Sequence, residues 1–440
     1  MTRVTHRALS TLTALVMVGT LFVGAPSPIR ASIADPTNVY ISFDTPADTG
    51  RCASPDYTAG GTDDHDVIME AVSATNAGGT LHFCPGTYDI DATIDLGGKL
   101  ITLSGASAAT TILDGDGAVR ILTSSGAITV SGLTFHDGHS VMWGGAIFTL
   151  ATVTATASTF TNNDANLQGG AIYANNTTTV TNSTFTNNTA AGSGGAIYAD
   201  TTTIVSNSTF TNNATNSFGG AIAGNSAAIS ASTFKNNDAN SWGGAIFAAT
   251  SATVTNSTFT GNNAADYGGA IRANITVTVS TSRFTGNISY LGGAIYANNT
   301  ATVSTSRFTG NTSNVGGAIY INTTATVTAS TFTNNTATYD GGAIWAYAGT
   351  IARSRFTRNT AGGHGGAVIL WSTNSDNLQQ LRRNTFTRNR AGVGGAIVLG
   401  SCGPAVSRSQ AARVQRANRF SGNRATEQRR TRNIETSYCD

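Results

Sequence analysis

A right-handed parallel β-helix is the fold this 440-residue sequence predicts: an all-β solenoid of 24–25-residue coils with an N-terminal capping helix. Three observations predict it. Gly-Gly-Ala recurs at Gly144, Gly169, Gly194, Gly219, Gly243, Gly268, Gly292, Gly316, Gly341, Gly365 and Gly394, in steps of 24 or 25 residues until a last step of 29. A phenylalanine column keeps the same step from Phe135 to Phe386, with an echo at Phe420. Between these markers apolar residues alternate with Thr, Ser or Asn, the pattern of half-buried strands.

Each coil reads as three short strands separated by turns. Val254 lies between Thr253 and Thr255, and Phe259 between Thr258 and Thr260, so one residue points inward and its neighbours outward. Gly268-Gly269 allow a tight turn, and Ile271 follows between Ala270 and Arg272. A second apolar column (Val130, Val180, Val205, Ile229, Val254 and onward, with Ala155 its weak member) runs five residues ahead of each Phe. Five is odd, so both columns cannot share one face of an unbroken strand. A bend lies between them, and Asn256-Ser257 suits it.

Helical repeats are excluded by a Thr-, Asn-, Gly- and Val-rich composition and a charged fraction of 11%. Coils stacked at ~4.8 Å bring Ile onto Ile, Val onto Val and Phe onto Phe, and stability then comes from neighbour interfaces. An Asn column three residues after Phe, from Asn163 to Asn423, predicts an amide ladder at one turn.

Taken in order, residues 1–34 have the form of a secretory signal: Arg3 and Arg7, an apolar run from Ala8 to Val23, and a small-x-small site at Ser32-Ile33-Ala34. Export gives meaning to four cysteines in two distant pairs, Cys52 with Cys84 and Cys402 with Cys439. Three pairings are possible; nearest-neighbour disulfides stapling each end are favoured because a rod keeps its ends apart. Residues 35–129 read as a cap helix and irregular first coils. The helix covers residues 63–74, with Val67, Ile68, Ala71 and Val72 as its apolar stripe, and plugs the exposed strand edge. Residues 130–400 are the regular array, and residues 401–440 a basic, disulfide-closed C-terminal cap. From Arg353 onward stand fifteen Lys and Arg residues against four acids, a local balance of +11. Such an end suits an acidic envelope polymer, or serves as a solvated cap that stops end-to-end stacking. Nucleic acid is not an expected partner, since no recognition motif accompanies the charge.

Gly169-Gly170-Ala171-Ile172 with Phe185-Thr186-Asn187-Asn188, and Gly292-Gly293-Ala294-Ile295 with Phe308-Thr309-Gly310-Asn311, resemble the repeats of the polymorphic outer membrane proteins of chlamydiae. The resemblance covers about residues 130–425. It implies a β-helical passenger displayed at the cell surface and used for adhesion, followed in that family by an outer-membrane barrel. No run of alternating strands here is long enough to build such a barrel. The stretch through Phe83-Cys84-Pro85-Gly86-Thr87-Tyr88 resembles the opening of the broader pectin-lyase-like β-helix group.

Polysaccharide lyases and hydrolases on such a fold need clustered carboxylates. In the array the acids stand singly, at Asp164, Asp200, Asp238, Asp266, Asp340 and Asp376, and His364 merely fills the variable slot before Gly-Gly. The catalytic candidates are therefore His136, Asp137 and His139, which replace Thr-Asn-Asn in the coil around Phe135, with Asp114 and Asp116 nearby. The other reading of that coil is a junction between irregular and regular repeats. No metal or cofactor is expected. Binding is suggested by the residues after Gly-Gly-Ala-Ile, which should project outward: Phe148, Tyr173, Tyr198, Phe247, Tyr296, Tyr320 and Trp345, interrupted by Ala223 and Arg272. Trp143, Phe218, Trp242 and Tyr267 precede the glycines. Such a face offers contact area to sugar rings and protein partners, or stiffens the strands by stacking. The expected protein is secreted or displayed at a cell surface or outer membrane. It acts by binding a glycan or a host or neighbouring cell-surface protein, as an adhesin or envelope component; the alternative is a polysaccharide lyase or glycoside hydrolase.

Overall fold

The computed structural model describes residues 35–43, 50–60, 64–371, 381–400, 408–426 and 433–435. The expected signal segment and Cys402 and Cys439 lie outside the described residues. Two units are distinguished, Met1–Ala34 and Asp35–Asp440, and only the second is described here.

That unit is an all-parallel, right-handed β-solenoid whose coils contribute strands to stacked sheets. The Phe strands form a 14-stranded sheet. Inside it Phe135 to Phe420 make one continuous pile, with ring centroids 4.8 Å apart for Phe259 above Phe234 and 5.1 Å for Phe420 above Phe386. The Ile and Val strands belong together to a 24-stranded sheet. In some coils they fuse, as in Ile197–Ser206, where the register shifts between Ala199 and Thr202. Expecting three separate strands was thus only partly right. A further set of two-residue strands, such as Asp164–Ala165 and Asn263–Ala264, was missed. Its inward column is mostly alanine, with Ser140 and Thr215 among its members, too small and too polar to register as a hydrophobic period.

The corners explain the rest of the repeat. At the expected bend Asn256 takes a left-handed φ of 48°, and the Ser257 amide donates to the Ser282 hydroxyl of the next coil. At the glycine corner Gly169 has φ +68°. A Cβ on Gly170 would stand 2.1 Å from the Gly195 carbonyl oxygen of the next coil. Neither position accepts a side chain, which accounts for the doubled glycine.

Helix α1, His65–Ala74, buries Ile68, Ala71 and Val72 and lies against the strands Asn38–Phe43, Tyr57–Ala59 and Ile94–Asp95. It starts later than expected. Asp63 lies outside the described residues, and the Asp64 carboxylate does not cap the helix. Instead it accepts from the Gly60 and Asp89 amides, at 3.0 and 3.1 Å. Lys99 Nζ donates to the last-turn carbonyls of Val72 and Ser73, where a cation complements the helix dipole. Cys52 and Cys84 are joined as expected. A second helix, α2 (Arg408–Ala417), was not foreseen. Its Ala, Arg and Gln residues favour helix, but only Val414 among its described residues is a fully buried apolar side chain, so no stripe marks it. The coil pattern resumes at Arg419–Ser421.

Candidate functional site

The residues after Gly-Gly-Ala-Ile emerge from the outer face of the Ile strands, because each follows an inward Ile. They do not stand free. Tyr173 stacks on Phe148 and Tyr198, each at 5.5 Å. Tyr320 stacks on Tyr296 at 5.3 Å and on Trp345 at 4.5 Å. The coil step nearly equals the stacking distance of two rings, so each ring covers its neighbour's face. Tyr173 and Tyr296 are consequently only 8% and 6% exposed. The expected open aromatic face is a belt presenting mainly ring edges. Residues of the column before the glycines join it, through Trp143 on Tyr173 (5.5 Å) and Tyr267 on Tyr296 (4.8 Å).

The two interruptions are filled differently. Arg272 places its guanidinium carbon 3.7 Å from the Trp242 ring centre, with Phe247, Tyr267 and Tyr296 around it. It is 8% exposed, and its Nε and Nη1 have no hydrogen-bond partner. The cation substitutes for a ring in the stack. At Ala223, Phe218 leans toward Phe247 at 5.0 Å with a 34° tilt. Beside this pair opens a groove of about 390 Å³, lined by Tyr198, Phe218, Phe247, Asp200, Gln168 and Asn225 among others. Burial first, then the Asp200 carboxylate, pushes the Tyr198 phenol up, against a Gln168 hydrogen bond that lowers it.

The five catalytic candidates separate into groups. Asp114, His136 and Asp137 converge. His136 Nδ1 lies 3.0 Å from Asp114 Oδ2 and 3.4 Å from Asp137 Oδ2, and the three potential ligand atoms lie within 4.8 Å of one another. His139 instead faces Asp164, one coil onward, at 3.1 Å. The Asp164 carboxylate also accepts from the Thr189 hydroxyl. Asp116 turns the backbone, with φ 49°, and its amide donates to Asp114 Oδ1. His364 pairs with Asp340 at 3.0 Å. Sequence reasoning missed Asp89. It is in register with Asp114, which is in register with His136, so these side chains occupy one column across three coils. Burial first, then Asp64, Asp114 and Asp116, raises the Asp89 carboxyl. A 25-residue interval between Asp89 and Asp114 was the available signal, hidden outside the regular array. Two carboxylates and an imidazole can move a proton or offer three donors to a cation, one fewer than a closed tetrahedral site uses.

With coil and corners described, the matches to known families become interpretable. Residues 116–281 match the right handed beta helix region, and residues 305–322 and 329–347 match the Chlamydia polymorphic membrane protein repeat. The array is a right-handed β-helix, and two of its stretches, residues 305–322 and 329–347, match the polymorphic membrane protein repeat. In this repeat Gly-Gly-Ala-Ile makes a corner and an inward strand, and Phe-x-x-Asn makes the ring pile and the amide ladder. The signature is thus architectural. No curated protein matches the sequence. Among solved structures the chain is similar to the A-module of the mannuronan C-5 epimerase AlgE6 of Azotobacter vinelandii. The identity is 12%, covering 86% of this chain and 96% of that one, with a TM-score of 0.37. The DFA-IIIase of Arthrobacter chlorophenolicus A6, in complex with GF2, is likewise 12% identical, covering 88% and 98%, at 0.37. At these values neither carries an argument about chemistry. Among the described residues no helix is long and apolar enough to cross a membrane.

Proposed function

We propose that this protein is displayed at a cell surface and acts by binding a glycan or a neighbouring cell's surface protein, in the manner of an adhesin. One observation carries the reading: aromatic side chains recur along one outer face from Trp143 to Trp371, stacked on neighbouring coils over most of that length. Stacking holds the rings in fixed positions, so a partner that contacts their edges orders few side chains on binding. Changing Tyr296, Tyr320 and Trp345 together to Ala should weaken attachment to cells or immobilised glycans severalfold while the circular dichroism spectrum keeps its β signature. Undiminished attachment of a folded triple variant rejects the aromatic belt as the adhesive surface.

A second reading, a polysaccharide lyase or hydrolase, is favoured by the convergence of Asp114, His136 and Asp137. A polysaccharide screen separates the two. Turnover that Asp114→Asn abolishes would replace binding with catalysis, whereas no turnover of any polymer leaves binding as the function.

A further inference from the structure

We propose that the break in the aromatic ladder at Ala223 is a sugar subsite that takes one neutral hexopyranose residue of a larger glycan. The inference rests on the binding reading above and deepens it. Elsewhere along the belt most ring faces are covered by neighbouring rings or by the guanidinium groups of Arg120 and Arg272. Tyr198 is different. Tyr173 covers one of its faces at 5.5 Å, and among the described residues no ring stacks on the other. The next rung is Ala223, in register with both Tyr198 and Phe247. Two coil steps, ~9.6 Å, separate those two rungs. Phe218 tilts toward Phe247 at 5.0 Å and Ala223 itself is fully buried, so the open space is lined by Tyr198, Gly224 and Asn225 beside this rung.

The backbone makes the remaining room. Gly224 lies so close to the preceding coil that a Cβ would stand 2.2 Å from the Ala199 carbonyl oxygen. The strand register shifts here on both sides, after Ala199 and after Gly224. The resulting groove of about 390 Å³ falls in the size range of small-molecule sites, roughly 300–1,000 Å³. Its walls are aromatic, matching the C–H face of a pyranose. The exposed Asp200 and Asn225 line it together with Gln168 and Ser193. A carboxylate beside an amide accepts from and donates to adjacent hydroxyls. Tyr173 Oη, 3.4 Å from Asp200 Oδ2, helps to hold that carboxylate in place. Its negative charge disfavours uronates and sulfated sugars, which selects a neutral ring.

The full chain would be titrated by calorimetry with methyl hexopyranosides of gluco, galacto and manno configuration, their oligosaccharides, and glucuronate as the anionic comparator. Ala223→Phe restores the missing rung. It should lower affinity for the preferred neutral sugar by about tenfold or more, with the melting temperature followed alongside because Ala223 is fully buried. Tyr198→Ala, which removes a wall without adding bulk, should do the same to affinity. Asp200→Asn should lessen the discrimination against glucuronate, and Tyr339→Ala, which removes an exposed ring outside the belt, should leave monosaccharide affinity unchanged. Wild-type binding that survives both Ala223→Phe and Tyr198→Ala overturns the subsite, as does a preference for glucuronate. If both variants bind sugar normally and attachment still depends on Tyr296, Tyr320 and Trp345, the subsite falls and the adhesive belt stands. If the wild-type chain binds no sugar or glycan, the subsite falls and the glycan form of the binding reading falls with it.

Discussion

Asn262 uses every hydrogen-bonding position it owns. Its Nδ2 donates to the Phe234 carbonyl at 3.1 Å and to Asn287 Oδ1 at 2.9 Å. Its Oδ1 accepts from the Asn237 amide at 3.0 Å and from Asn237 Nδ2 at 2.9 Å. A fully buried amide with both donors and both lone pairs satisfied accounts for the Asn in every coil from Asn163 to Asn423. Asn262→Ala should therefore destabilise by about 1–3 kcal/mol for each buried group left without a partner, measured by denaturant unfolding. Asn262→Asp aims an acceptor at the Phe234 carbonyl and at Asn287 Oδ1. Burial raises its folded-state pKa, so it should cost more near pH 7 than near pH 4. Equal loss at both pH values would show that the amide's second donor is dispensable. The spacing of this column was legible from the sequence. Its complete saturation was not, because that depends on how one coil sits on the next.

At the scale of the element, the outward ladder shows what period alone does not reveal. Alternation placed Phe148, Tyr173, Tyr198, Phe247, Tyr296, Tyr320 and Trp345 on the outer face. It was silent about whether their faces would be open. Stacking closes them, and the chemistry of the phenols follows. Burial chiefly pushes Tyr173 and Tyr320 up to about 12, with neighbouring Asp200 and Tyr198 adding at the first and Tyr296 and Tyr267 at the second. In the unfolded chain these phenols ionise near their ordinary value of about 10. The stability they confer is thus complete below about pH 10 and is lost as pH rises toward about 12. The melting temperature should drop across that window, and Tyr173→Phe with Tyr320→Phe should flatten the drop. A wild-type curve no steeper than the double variant's would show that the ladder does not hold these groups protonated. The acidic column teaches a related lesson. His136 and Asp137 were picked as rule-breakers with Asp114 nearby, and the three converge, whereas Asp89 entered only through register and His139 left the group because it turns to Asp164.

For the unit as a whole, the sequence showed a basic C-terminal portion, and the structure puts the charge on the surface. Arg353, Arg355, Arg358, Arg382, Arg383, Arg388 and Arg390 are all exposed, and Arg390 lies in register with Arg424. Like charges in adjacent coils repel, which suggests a surface shaped by an anionic partner. Two grooves, of about 370 and 220 Å³, are lined by Arg383, Arg416 and Arg419 and by Arg353, Arg382 and Arg383. An acidic envelope polymer is the proposed partner. Heparin, as a soluble polyanion, should bind the full chain at about 50 mM salt and release between about 0.2 and 0.5 M, as screened charge contacts do. Arg353, Arg382 and Arg383 changed together to Ser should remove most of that binding; retention that ignores both salt and substitution would leave this end as a solvated cap.

The sequence by itself determined the coil. A 24–25-residue period, a doubled glycine in each repeat and an Asn three residues after each Phe from Phe160 onward admit one solution, because residues one period apart must meet the same surroundings. Only the tertiary structure decided what the outer surface offers. Whether rings face solvent or one another, where a shifted register opens a groove, and which acids share a column all depend on offsets between coils of a few ångströms, and a one-dimensional period carries no record of them.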